Sequence, residues 1–196
     1  MTEKATSAPM TGAILDTRRR ALENAFFIEE DRRLTRRLVE ASAEQAERER
    51  ITAITGIADP AVIDQFIALG LRGPALAALA LAPLVLVAWA DGDVGDAERD
   101  AVMDVAAEVG QKPGSEAHEL LGDWLMQPPP ASLLSTWEAY AKHLTGELDA
   151  DARSTLHKEV MVRARAVAEA QGGFLRIGRI SSAEAGMLGH IDTVLS

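Results

Sequence analysis

Two stretches decide how this chain should fold: "GDVGDAERDAV", residues 92–102, and "GRISSAEAGML", residues 178–188. Both read Gly, any residue, a β-branched apolar residue, two small or turn-forming residues, then Ala-Glu. Their offset is 86 residues, and the apolar positions that follow stay in register. Val102 corresponds to Leu188, Val105 to Ile191 and Val109 to Leu195. A stripe spaced by three and four is the mark of a helix with one buried face. The echo predicts two related helical hairpins packed about a pseudo-twofold axis. Val94 and Ile180, just before each start, can staple the chain to the core.

The same echo predicts how the helices begin. Ser181 is an N-cap and Glu184 lies three residues on, which is a capping box. Gly95 replaces the Ser in the first copy, but Glu98 keeps its place. A carboxylate near a helix N-terminus is also favoured by the helix dipole.

Helical patterns continue in both directions. Helices are expected over about 12–29 (Leu22, Phe26) and 31–54 (Leu34, Leu38, Ala41). "ADPAVIDQFIALG", 58–70, is a short helix capped by Asp59, opened by Pro60 and ended by Gly70. "GPALAALALAPLVLVAWA", 73–90, has no charge. It is short of the roughly 20 apolar residues a bilayer needs, so a buried central helix restarting near Pro83 is the better reading. Further helices are expected over 96–109, 115–126, about 134–148, 151–170 and 182–195, with "PPP" at 128–130 as a stop. "FLRIGRI", 174–180, is the best strand candidate and is assigned to an ordered loop. The expected class is all-α, a compact bundle of eight or nine helices. The expected division is 1–55 as an N-terminal extension and 56–196 as the main domain.

Composition bounds the function. The 196 residues carry a net charge of −10 and no Cys. Thiol catalysis, disulfides and thiolate metal sites are excluded, and a cytoplasmic setting fits. Residues 1–50 hold ten basic and ten acidic groups, whereas 51–196 hold ten basic and twenty acidic. An acidic body repels phosphate backbones, so nucleic acid is not the expected partner. Metal ions or basic partners are. No HExxH spacing, nucleophile elbow or phosphate-binding glycine loop accompanies the acids. His118, His143, His157 and His190 fall in different helices. His143 and Glu147 share a face as an ordinary i, i+4 pair. Trp89, Trp124 and Trp137 read as packing residues.

The acidic turn "DGDVGDAERDAV", 91–102, fails as an EF-hand loop. Gly95 stands at the third ligand place, Asp96 where the turn glycine belongs, and Val102 where the bidentate Glu belongs.

"LAPLVLVAWADGDVGDAERDAV", 81–102, together with "EAQGGFLRIGRISSAEAGML", 169–188, resembles the TerB-like family, named for bacterial tellurite resistance. "ALENAFFIEEDRRL", 21–34, is similar to a helical extension on some small members. The resemblance implies a bundle of two similar halves with acidic residues at the hairpin turns that hold a metal ion. Matched by motif these are Asp91, Glu98 and Glu184, with Asp93 as an additional acid. No Asp precedes "GRISSAE" where Asp91 stands in the first copy. The implied function is a non-enzymatic acidic module. It would bind a divalent cation such as calcium, a protein partner or a second copy, in a stress response or at a membrane face. The alternative is a metal-dependent hydrolase using the same carboxylates.

Overall fold

A computed structural model describes the backbone of residues 9–170 and 180–196, with side chains from 28 onward in those ranges. The expected loop over 174–180 falls almost wholly outside the described residues. The described chain is all helix: α1 (Pro9–Thr55), α2 (Pro60–Ala68), a 3-10 stretch (Gly73–Leu81), α3 (Ala82–Ala88), α4 (Asp96–Glu108), α5 (Glu116–Met126), α6 (Leu133–Glu147), α7 (Ala150–Ala170) and α8 (Ser182–Leu195). It forms two compact units, Met1–Ala46 and Glu47–Ser196.

Two helices expected over 12–29 and 31–54 are one. No Gly or Pro lies between 13 and 55, and Glu29-Glu30-Asp31 are compatible with helix, so nothing stops α1. Its last turns belong to the second unit, where Ile51 is fully buried in the core. Of the stripe Leu22, Phe26, Leu34 and Leu38, expected to pack on the core or on a second subunit, the first two lie outside the described side chains, and Leu34 and Leu38 are exposed within the first unit.

Within the second unit the core is built around α3. All seven of its residues are buried, which explains the absence of charge in that run. Around it pack α6, α7 and α8, and α4 packs on α7. Among the described residues no single helix is long and apolar enough to cross a membrane. The break at Pro83 has a local cause. Proline has no N–H to donate to the carbonyl of Leu79, four residues back. Ala82 N–H donates to that carbonyl instead, closing a tighter turn.

Other ends follow the sequence as directly. The Asp59 carboxylate accepts from Ala61 N–H at 2.9 Å, and Pro60 occupies the first turn of α2. Gly70, at φ +78°, turns the chain so that Leu71 N–H reaches Phe66 O. At the end of α5 the carbonyl of Trp124 would take its hydrogen bond from residue 128, but that residue is Pro. The indole Nε1–H of Trp89 donates to it at 2.7 Å, filling a vacancy that the proline run creates.

One turn leads to a test. Gly56 has φ +74°, and a Cβ there would lie 2.7 Å from His143 Nε2. Both backbone and space oppose a side chain. Gly56→Ala should destabilise the fold by about 1–3 kcal/mol, read as a lower urea midpoint. An unchanged midpoint would show that the turn relaxes freely.

Candidate functional site

The two helix starts that the echo marks are built alike. At α8, Ser181 Oγ accepts from Glu184 N–H at 3.1 Å, and Glu184 Oε2 accepts from Ser181 N–H at 2.6 Å. At α4, Glu98 Oε2 accepts from Gly95 N–H at 2.8 Å. Gly95 has no side chain, so only that half of the box exists. Val94 is buried beside the first start, and Ile180 packs on the core beside the second. Val102 and Leu188 are both buried one turn further on. The equivalence then fades: Ile191 and Leu195 are buried, whereas Val105 is half-buried and Val109 exposed. The last turn of α4 turns its stripe to the surface, and the last turn of α8 keeps its stripe buried.

Capping alone does not account for these glutamates. Glu98 is 0% exposed and Glu184 1%. Each spends one oxygen on its cap, and the other, Oε1, is buried with no hydrogen-bond partner. The two carboxyls come within hydrogen-bonding reach of each other. Burial pushes the Glu98 pKa from 4.5 up to about 7, and the Glu184 and Asp91 charges with the Glu184 hydrogen bond add to the rise. The Gly95 N–H opposes it. Arg99 does not neutralise the pair. Its guanidinium bonds Asp96 at 2.6 Å and the Val94 carbonyl at 3.3 Å.

The four acids implied as metal ligands therefore separate. Glu98 and Glu184 are buried together. Asp91 is exposed and acts on Glu98 only through its charge. Asp93 is exposed on the turn, its N–H 3.4 Å from Asp91 Oδ1. Among the described residues, no group of three or more His, Asp or Glu side chains is arranged to hold a metal ion. Two buried carboxylate oxygens are hard donors of the kind calcium or magnesium takes, but such ions need six or more oxygens. The side chains present do not complete that set.

The histidines make contacts that linear spacing did not reveal. His157 Nε2 lies 2.7 Å from Asp192 Oδ1, and His190 Nε2 lies 2.6 Å from Glu138 Oε1. These tie α7 to α8 and α8 to α6. His143 faces Gly56, and no hydrogen bond joins it to Glu147 among the described residues. Trp124 and Trp137 are buried in the core, as their helical spacing suggested.

No family of known proteins, no curated protein and no solved structure matches the chain.

Proposed function

We propose that the chain is a non-catalytic, TerB-like acidic binding module. One observation carries this reading: Glu98 and Glu184 are sealed inside the protein. A carboxyl poised near pH 7 in an open cleft would suggest a general acid or base. Glu98 and Glu184 have almost no exposure through which to meet a substrate. The metal-dependent hydrolase reading loses its support for the same reason. What faces solvent is the turn outside the pair, where Asp91, Asp93, Asp96 and Asp100 are exposed. That surface suits a basic segment of a protein partner, in keeping with the family's stress-response setting.

A divalent cation is the second reading, favoured by the two unpartnered buried oxygens. Calorimetric titration and thermal shift separate the two. A hexalysine peptide should bind with salt-sensitive affinity that Asp91→Asn/Asp93→Asn/Asp96→Asn weakens. Calcium, magnesium, manganese and zinc should each leave the melting temperature nearly unchanged. A rise with any of them that Glu98→Gln abolishes would establish the cation instead, since a ligand bound only by the native state stabilises it by mass action. No heat with the peptide would remove the basic-partner reading.

A further inference from the structure

The connection between α5 and α6, within the second unit, holds more proline than ending a helix requires. Pro128 alone stops α5, because it has no N–H for the Trp124 carbonyl. Two more prolines follow it. A residue before proline is held out of the helical region, so Gln127, Pro128 and Pro129 are all driven to extended ψ. Gln127 stands at φ −138° and ψ 148°. Each proline fixes its own φ near about −65°, and the described peptide bonds are trans. Trans prolines with extended ψ make a turn of polyproline II helix, which has about three residues per turn and no hydrogen bonds of its own.

Exposure follows that period. Gln127, Pro128 and Pro130 are exposed, and Pro129 is half-buried. Gln127 and Pro130 share one outward edge, Pro128 stands on a second, and Pro129 lies on the third, toward the body. Met126, just before the run, is 66% exposed. Among the described residues, no hydrogen bond reaches the carbonyls of Gln127, Pro128 or Pro129. The run is tied at both ends. Gln127 N–H donates to Asp123 O at 3.1 Å, and Leu133 N–H donates to Pro130 O at 2.9 Å. Leu125 and Leu133, beside the ties, are buried in the core.

We propose that 126–130 is a docking segment for a second protein, through a domain whose groove is lined by aromatic side chains. Conformation selects that occupant. Such grooves take a preformed polyproline II ligand, whose pyrrolidine rings lie against the aromatic faces. Tryptophan and tyrosine also bring the N–H and O–H donors that the three free carbonyls lack. Charge offers no competing account. Residues 124–137 hold no charged side chain, so neither the basic segment proposed for the acidic turn nor an anionic membrane meets a counterpart here. Because the run is fixed at both ends, little ordering entropy is lost on binding.

Nuclear magnetic resonance of isotope-labelled SH3, WW and EVH1 domains, each titrated with the unlabelled full chain to about 1 mM, tests this down to weak affinity. In at least one of the three, the signals of the groove aromatics should shift and saturate. Pro130→Ala removes one outward ring and should raise the dissociation constant about tenfold. Pro128→Ala/Pro130→Ala should abolish the shifts. Asp91→Asn/Asp93→Asn/Asp96→Asn should leave them unchanged, which separates this segment from the acidic turn. Trp89, Trp124 and Trp137 all lie in the second unit, so an unchanged near-ultraviolet circular dichroism spectrum shows that the body of each variant is folded. Silence from all three domains overturns the proposal. So do shifts that survive the double proline variant, or shifts lost with the Asp variant.

Discussion

Raising the pH from 4.5 to 8 should weaken the wild-type protein relative to Glu98→Gln by roughly 3 kcal/mol. The figure follows from a pKa of 4.5 in the unfolded chain and about 7 in the folded one, at 1.36 kcal/mol for each pKa unit. Folding raises this pKa, so the native state keeps a proton that the unfolded chain has lost. The stability that goes with the proton is complete below pH 4.5 and is lost as the pH climbs through 7. Gln is the right probe because it imitates the protonated acid. Its oxygen can accept from Gly95 N–H, and its amide can donate to the Glu184 carboxyl. Urea unfolding at half-unit steps of pH would give the two curves, and the difference removes the ordinary carboxylates that titrate in both proteins. Glu184→Gln should shrink the effect, since it withdraws one of the neighbouring charges. Curves for the wild type and Glu98→Gln that run parallel from pH 4.5 to 8 would show that no proton is held there.

That pair also shows how far a sequence can be read. The Ser-x-x-Glu box at 181–184 and its partial copy at 95–98 were legible, because capping is local and its spacing is fixed. The uncharged run through 82–88 announced a helix surrounded on all sides. Asp59, Pro60 and Gly70 fixed the ends of α2 for the same local reason. What was not legible is non-local. Nothing in the order of residues says that Glu98 and Glu184 are both buried and act on each other, since both caps could equally face water. The same holds for His157 with Asp192 and His190 with Glu138, 35 and 52 residues apart. The two helices expected over 12–29 and 31–54 run on as one, since no Gly or Pro lies between 13 and 55. Acids do not end a helix that lacks a Gly or Pro. The likeness of Asp91 and Asp93 to ligands came from the motif, and the tertiary arrangement leaves both on the surface.

Replacing Trp124 by Ala should cost about 3–5 kcal/mol, the largest loss expected from any single side chain considered so far. Trp124 is 4% exposed and belongs to the core, where truncation leaves a void that close-packed neighbours only partly fill. Its backbone has a second role that the same substitution leaves in place. The Trp124 carbonyl lacks its helical donor because residue 128 is Pro, and the Trp89 indole supplies one. Trp89 closes α3 immediately before Ala90 and Asp91. This hydrogen bond therefore pins the entrance of the acidic turn to the end of α5. Trp89→Phe keeps much of the ring packing but removes the donor and leaves the carbonyl unpaired, and should cost about 1–3 kcal/mol. Its effect should also differ in kind. The Trp124→Ala loss should be the same at pH 5 and pH 8. If the turn loosens in Trp89→Phe, Asp91 moves relative to Glu98 and the pH dependence flattens in part. Denaturant unfolding of both variants at the two pH values measures this. A Trp124→Ala variant within 1 kcal/mol of wild type would show that the ring is not part of a close-packed core. A Trp89→Phe variant as stable as wild type would show that the carbonyl left by the proline run finds another donor.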